Sequence, residues 1–265
     1  MHHNNLPIGF FDSGLGGVSV LAEAACLLPY ESLIYLGDTA HSPYGTKDAS
    51  VVKRFSLQAV DFLVKKGIKA LVVACNTATS VAIKDIREAY DMPVIGMEPA
   101  LKPAVEKADQ GEIVVMATPV TLRERKFHSL LSLYEDNHDI VPLPCPGLVE
   151  LIEKGIYSGA LIQNYLTNIF APLIKEKIST VVLGCTHYLF IKKELAKFIP
   201  HVQIIDGNLG TVKNLQRILS EKGLLANQTG KERTITYYSS GEQEPFLALC
   251  HELFNYYTGS YYTQA

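Results

Sequence analysis

The sequence predicts an α/β fold of two similar domains, each a mainly parallel sheet flanked by helices. Short apolar segments alternate with amphipathic segments from the start of the chain, and this alternation restarts near residue 97. A strand-like segment that leads directly into a cysteine occurs twice, at residues 71–75 and 181–185. Alternating strands and helices are typical of parallel sheets covered by helices, and the repeated unit favours two related domains.

The first half of the chain contains four predicted strands. They are short, apolar and bounded by turn residues, as buried parallel strands are, and they cover residues 8–11, 32–36, 70–74 and 92–95. Helices are predicted after the first three of them. These helices run to about residue 28, over 49–66 up to the helix-stopping Gly67, and over 80–90.

The second half repeats the pattern. Helices are predicted over residues 98–108, 122–134, 148–154 and 161–176, with strands at 112–117, 139–141, 180–183 and 202–205 and a proline-rich bend at 142–147. The segment after residue 208 holds one helix, a strand at 234–238 and a last helix at 245–257. It is too small to fold alone, so we expect it to complete the first domain. The predicted domains are therefore residues 1–97 with 208–265, and residues 98–207.

Composition excludes several classes of function. Lys and Arg number 24 against 27 Asp and Glu, so no basic surface predicts a nucleic acid or an anionic membrane as partner. No apolar run approaches the roughly 20 residues that span a bilayer. The five cysteines are odd in number and widely spaced, which predicts a reduced, cytoplasmic protein. Cys26, Cys145 and Cys250 lack the strand-to-helix setting and are predicted to be packing residues.

Cys75 and Cys185 are the leading candidates for chemistry. Asn76 and Thr77 open a helix after Cys75, and the free N–H groups and dipole there favour a thiolate. Cys185 is followed by Thr186 and by His187, which could polarise the thiol or carry a proton to it. The alternatives are buried structural residues or a Cys-x-His metal site. No metal is predicted, because no Cys-x-x-Cys pair or spaced second histidine completes such a site.

The glycine-rich loop 12–17 follows the first strand and offers backbone N–H groups to an anion. It departs from the dinucleotide fingerprint and from the phosphate-loop pattern, so nucleotide binding is disfavoured. Asp12 ends this strand and could hold a substrate ammonium or assist a thiol. Capping of the following helix is the alternative.

Five further residues are weaker candidates. Tyr44 and Gly45 lie in a Pro-Tyr-Gly turn that could present N–H groups to a carboxylate, or could be a turn alone. Glu153 precedes a helix stop and by itself suggests a solvated carboxylate. Thr118 and Thr121 lie between a strand and a helix, so they are caps first and anion donors second.

Four stretches together resemble the glutamate racemase family. They are 11–17 (FDSGLGG), 37–45 (GDT…PYG), 74–77 (ACNT) and 184–188 (GCTHY). The resemblance implies a cofactor-independent enzyme that interconverts L-glutamate and D-glutamate and supplies D-glutamate for peptidoglycan. It also implies a homodimer and an active site in the cleft between two α/β domains.

By resemblance, Cys75 and Cys185 match the two acid/base thiols of the family. Asp12 matches a carboxylate that assists the first thiol, His187 an imidazole that assists the second, and Glu153 a further assisting carboxylate. The matched substrate-binding positions are Asp12, Ser13, Tyr44, Gly45, Asn76, Thr77, Thr186 and His187, with Thr118 and Thr121 beside them. The chain departs from the family pattern at Val120, Glu124, Phe127 and Leu189, which bears on the shape of the second-domain side of the pocket.

Other functions stay open at this point. An aspartate or hydantoin racemase of the same superfamily would use the same two thiols. A non-catalytic protein that binds an acidic amino acid would need the donors and could dispense with one thiol. A third alternative is an inhibitor of another enzyme, such as a topoisomerase, which is an additional role known for some members of the family.

Overall fold

A computed structural model of the chain describes residues 3–107, 111–226 and 233–262. Its strands are β1 (Ile8–Asp12), β2 (Leu33–Gly37), β3 (Ala70–Val73), β4 (Val94–Gly96), β5 (Glu112–Ala117), β6 (Ile140–Pro144), β7 (Ile178–Leu183), β8 (Gln203–Asp206) and β9 (Ile235–Ser239). Its α-helices are α1 (Val18–Leu27), α2 (Ala49–Lys65), α3 (Asn76–Ala89), α4 (Leu101–Lys107), α5 (Pro119–Arg123), α6 (Arg125–Leu131), α7 (Leu148–Glu153), α8 (Ala160–Phe170), α9 (Lys192–Phe198), α10 (Asn208–Glu221) and α11 (Gln243–Tyr262).

The strands form two parallel sheets, which confirms the predicted fold class. The first sheet has the order β4-β3-β1-β2-β9, and β9 pairs with β2 in parallel register from Leu33↔Ile235 to Gly37↔Ser239. The second sheet has the order β6-β5-β7-β8. We call each sheet, with the helices packed on it and the loops after its strands, the first lobe and the second lobe.

Helices cover both faces of each sheet because successive strand residues point to opposite faces. In the first lobe, Phe10 and Val72 pack toward α1, α10 and α11, whereas Phe11 and Val73 pack toward α2 and α3. The second lobe repeats this arrangement, with α7, α8 and α9 on one face and α4 and α6 on the other. No helix in the described part of the chain is both long and apolar enough to cross a membrane.

The structure corrects four predicted elements. Residues 142–144, predicted as part of a bend, belong to β6, since an edge strand tolerates prolines on its unpaired side. The helix predicted over 122–134 is two helices separated at Glu124, whose backbone is extended. The helix predicted to reach residue 176 ends at Phe170, because Pro172 disfavours helical backbone before it. The helix predicted over 98–108 is α4, and residue 108 lies outside the described residues.

Candidate active site

The two candidate thiols lie at the carboxyl ends of inner strands, one in each lobe. Cys75 follows β3 and is 6% exposed, and Cys185 follows β7 and is 8% exposed. The strand ends of the two lobes meet, because Thr186 after β7 donates a hydrogen bond across to Asp12 at the end of β1 (3.3 Å). Ligands of parallel sheets bind outside such strand ends, so this junction is the candidate active site.

Cys75 is the N-cap of α3. Its Sγ accepts a hydrogen bond from the Ala78 N–H (3.4 Å), and its thiol donates to Ser13 Oγ (3.5 Å). Burial, and then the charge of Asp12, raise the pKa of Cys75 to about 12. The helix N-terminus does favour the thiolate here, through the Ala78 N–H, but the removal of water by burial outweighs it.

Asp12 joins the glycine-rich loop to the second lobe. It is fully buried, its Oδ2 accepts from the Gly14 N–H (2.9 Å), and its Oδ1 accepts from the Thr186 hydroxyl. Burial raises the pKa of Asp12, and the charge of His187 offsets part of that rise. The Tyr35 hydroxyl donates to the Gly14 carbonyl (2.8 Å), which fixes the turn that carries this carboxylate.

Cys185 precedes a 3-10 segment, Thr186–Ile191, which leads into α9. Within this tight segment His187 turns back, so that its Nδ1 lies 3.9 Å from Cys185 Sγ. On its other side, His187 Nε2 donates to Glu153 Oε1 (2.6 Å). Cys185, His187 and Glu153 thus form a line of three groups, which we call the relay.

The relay holds a charge pair. Burial lowers the pKa of His187, but its contacts with Cys185 and Glu153 raise it further, to well above the usual 6.5. Burial raises the pKa of Glu153, yet the hydrogen bond and charge of His187 bring it below its usual value. His187 therefore lies beside Cys185 as an imidazolium paired with the Glu153 carboxylate. The Glu153 side chain is 22% exposed, so it is not the solvated carboxylate that the local sequence suggests.

Three threonine hydroxyls meet where the lobes touch. Thr77 Oγ1, at the start of α3, lies 2.9 Å from Thr118 Oγ1 and 3.2 Å from Thr121 Oγ1. Thr118 also caps α5, since its Oγ1 accepts from the Thr121 N–H (3.2 Å). The two predicted roles of Thr118, helix cap and donor to an anion, are thus compatible, because Thr118 both caps α5 and faces the other lobe.

The remaining candidates line the same junction. The Tyr44 hydroxyl donates to Asp38, and Gly45 approaches Thr118 so closely that an added Cβ would lie 2.7 Å from the Thr118 Cβ. Asn76 is buried, and within the described residues neither polar atom of its amide has a hydrogen-bond partner. Buried amides are almost always paired, so Asn76 is available to a bound ligand.

Sequence reasoning did not single out three residues that shape the site. Asp38 accepts hydrogen bonds from Tyr44, His41 and Ser240, and its position at the end of β2, parallel to that of Asp12, was a usable signal. Ser42 donates to Glu153 (3.3 Å), and Tyr35 holds the Gly14 carbonyl. No local pattern marks these two, because their partners lie far away in the chain. Among the described residues, no group of three or more His, Cys, Asp or Glu side chains could hold a metal ion.

Comparison with known proteins gives one consistent result. Residues 18–215 match the sequence profile of the family described as Asp/Glu/hydantoin racemase. Over 259 residues the chain is 54% identical to a glutamate racemase of Clostridium botulinum (strain Hall), covering 96% of this chain and 99% of that protein.

Two solved structures agree. The crystal structure of Francisella tularensis glutamate racemase in complex with D-glutamate matches with a TM-score of 0.83 and 32% identity, over 95% of this chain and 94% of that one. Escherichia coli glutamate racemase, in complex with L-glutamate and the activator UDP-MurNAc-ala, matches with a TM-score of 0.82 and 28% identity, over 95% of each chain. The chain belongs to the Asp/Glu/hydantoin racemase family, and the relatives that it matches over nearly its full length are glutamate racemases.

Proposed function

We propose that this protein interconverts L-glutamate and D-glutamate by proton transfer to and from two thiols. The observation that carries the proposal is the pair of buried cysteines at the strand ends of two abutting lobes. Cys75 has Asp12 as its charged neighbour, and Cys185 has His187. Within the described residues, they are the only cysteines that lie two positions after the end of an inner strand.

Racemisation needs one group on each side of the α-carbon. The α-proton leaves from one face, and a different proton must arrive at the other face. A single fixed base would return the proton to the face from which it came. In the proposed reaction one cysteine is a thiolate while the other is a thiol, and they exchange roles with direction. Cys75 takes the proton from D-glutamate, and Cys185 takes it from L-glutamate.

The surroundings of the two thiols differ, and we assign the two thiols complementary roles. Cys75, with its pKa raised to about 12, carries its proton and is ready to act as the acid. Cys185 has His187, whose pKa is raised, 3.9 Å from its sulfur, and we assign Cys185 the role of the base. This assignment corresponds to the direction from L- to D-glutamate. For the reverse direction Cys75 must be deprotonated, and Asp12, whose own pKa is raised, is the neighbouring carboxylate that can assist.

The α-proton of an amino acid is a weak acid, so the site must stabilise a carbanion strongly. We assign this work to donors around the α-carboxylate, namely Asn76, Thr77 and Thr186. Each well-placed donor contributes roughly 3 kcal/mol, so several are needed. The free amide of Asn76 and the mutually bonded hydroxyls of Thr77, Thr118 and Thr121 can turn to a carboxylate when it binds. The proposed chemistry uses these side chains and assigns no cofactor.

Glutamate is the substrate that the comparisons favour. The curated relatives are named glutamate racemases, and the two solved structures described above hold D-glutamate and L-glutamate. We further propose that the product supplies D-glutamate for peptidoglycan, and that the protein works in the cytoplasm as a homodimer. All five cysteines are free in the structure, which is consistent with a reduced compartment. The proposed domains are those of the two lobes, residues 1–97 with 208–265, and residues 98–207.

A circular-dichroism assay without added cofactor tests the proposal. L- and D-glutamate should each lose optical activity toward zero, whereas L- and D-aspartate should stay unchanged. Cys75→Ala and Cys185→Ala should each lower the rate by at least about 10³-fold, since each removes a proton-transfer group. Cys26→Ala is the matched control and should keep the full rate, because Cys26 lies outside the site. Full turnover by Cys75→Ala or by Cys185→Ala would rule out the two-thiol mechanism. Racemisation of aspartate but not of glutamate would indicate an aspartate racemase instead.

A further inference from the structure

Glu153 is the point at which the two lobes meet behind Cys185. It lies on α7 in the second lobe, and its Oε1 accepts from His187 Nε2 (2.6 Å) in the same lobe. Two donors reach it from the first lobe. The Ser42 hydroxyl donates to Oε1 (3.3 Å), and the Leu15 backbone N–H also donates to this carboxylate.

The approach of the lobes at this point is close. An added Cβ on Gly14 would overlap Glu153 Oε1 and would lie 3.2 Å from both Ser42 Oγ and His187 Nε2. Only a residue without a side chain fits there, so the glycine-rich loop permits the contact between Ser42 and Glu153. The contact is therefore part of the packing of the site and not a chance meeting of two surface groups.

Ser42 also belongs to the loop that carries two proposed substrate-binding residues. Tyr44 and Gly45 follow it after a single proline. On the side away from the thiols the same loop is held by Thr39 Oγ1, which lies 2.6 Å from Ser239 Oγ. The Ser42 hydroxyl thus links the loop that carries Tyr44 and Gly45 directly to Glu153 of the relay.

We propose that Ser42 is a positioning residue that orients Glu153 toward His187 and couples the placement of the Tyr44–Gly45 loop to the relay behind Cys185. This inference rests on the proposed racemase function and adds a residue to its machinery. Ser42 does not touch the reacting carbon in this account. It acts through Glu153, which acts through His187.

The charges around Glu153 determine how loss of the hydrogen bond from Ser42 changes its protonation. The titratable groups that face Glu153 are His187 from the 3-10 segment, Asp12 from β1 and Tyr35 from β2, with Cys185 beyond His187. The hydrogen bond from Ser42 is one of the interactions that lower the pKa of Glu153. Without it, Glu153 takes up a proton at a higher pH. A neutral Glu153 no longer stabilises the imidazolium of His187. Activity is therefore lost at a higher pH than in the wild type as the pH falls.

The pH dependence of kcat/KM tests the proposal. Ser42→Ala should lower kcat/KM by about threefold on the acidic side of the profile and by less than about twofold on the alkaline side. Ser42→Thr keeps a hydroxyl and should restore the wild-type acidic side. Ser239→Ala is the matched control, since it removes a serine hydroxyl that holds the same loop from outside the site. The acidic side of the kcat/KM profile of Ser239→Ala should coincide with that of the wild type. If it is displaced as far as that of Ser42→Ala, loosening of the loop alone explains the effect and the inference is wrong.

A second readout does not depend on activity. The carboxyl ¹³C signal of Glu153, assigned by its absence in Glu153→Gln, should titrate with a higher midpoint in Ser42→Ala than in the wild type or in Ser239→Ala. A midpoint that does not move in a folded Ser42→Ala protein overturns the inference, even when the wild type racemises glutamate. Failure of the wild type to racemise glutamate is a separate result, and it contradicts the proposed function instead.

Discussion

At the residue scale, two cysteines that each lie two positions after an inner strand have different chemical surroundings. Cys75 is buried beside a carboxylate, which keeps its proton on. Cys185 lies beside a histidine that is itself paired with Glu153. A reaction that passes a proton from one face to the other needs an acid and a base at the start of each turnover. The proposed mechanism assigns the acid to Cys75 and the base to Cys185 in the direction from L- to D-glutamate.

The protonation of His187 gives a prediction at this scale. Its pKa lies well above 6.5, so in long-range ¹H–¹⁵N spectra its ring should remain an imidazolium at neutral pH. Glu153→Gln removes the carboxylate partner and should move the midpoint of this titration downward. Because the folded-state pKa is raised, the stability that His187 contributes is complete below about pH 6.5 and is lost as the pH rises through the folded-state pKa. A His187 ring that is neutral at pH 6 in the wild type would contradict the charge pair.

The sequence allowed the placement of the candidate residues at strand ends to be predicted better than their protonation states. A thiol or carboxylate directly after an apolar segment lies at a strand end, and this reasoning located Cys75, Cys185 and Asp12. The protonation of Cys75 could not be predicted in this way. The helix N-terminus is visible in the local sequence, whereas the burial that outweighs it comes from residues distant in the chain, such as Phe11 and Tyr44.

At the element scale, the glycine-rich loop decides how closely the lobes approach. An added Cβ on Gly16 would overlap Thr186 Oγ1 and would lie 2.8 Å from the His187 backbone nitrogen. The backbone nitrogen cannot turn away as a flexible side chain can. The loop after β1 and the 3-10 segment after β7 therefore fit together only while residue 16 has no side chain.

Gly16→Ala should consequently separate these two segments and lower kcat/KM by at least about tenfold, with the fold retained. The matched control is Gly210→Ala in α10, where an added Cβ has nothing within 4 Å. That substitution should leave kcat/KM unchanged and stabilise the protein by about 0.5–1 kcal/mol, because alanine favours helix over glycine. Steady-state kinetics and urea unfolding of both variants check these values. Wild-type activity in Gly16→Ala would show that the close approach is not needed.

The elements themselves were largely predictable, and the exceptions have local causes. Hydrophobic period and glycine or proline boundaries located each strand to within a few residues. Pro172 was visible in the sequence and marked the true end of α8. The strand character of Pro142 and Pro144 could not be predicted, because it depends on β6 being at the edge of the second sheet.

At the scale of the whole molecule, the candidate site lies where the two lobes meet. Asp12 and Thr186 are 174 positions apart in the chain, and Ser42 and Glu153 are 111 apart. The repeated strand-and-thiol unit predicts that two strand ends face a common ligand. It does not predict which side chains touch across the junction, because those contacts depend on the angle at which the lobes pack.

The most direct test of the account is the fate of the α-proton in deuterated water. The reaction starts from L-glutamate and is stopped long before equilibrium, when only a small fraction has been converted. Both enantiomers are then separated and analysed by mass spectrometry. The account predicts that the newly formed D-glutamate carries deuterium at the α-carbon while the remaining L-glutamate carries almost none, since the proton removed by Cys185 differs from the one delivered by Cys75. Equal early labelling of both enantiomers would show that one mobile base serves both faces, and it would contradict the two-thiol site.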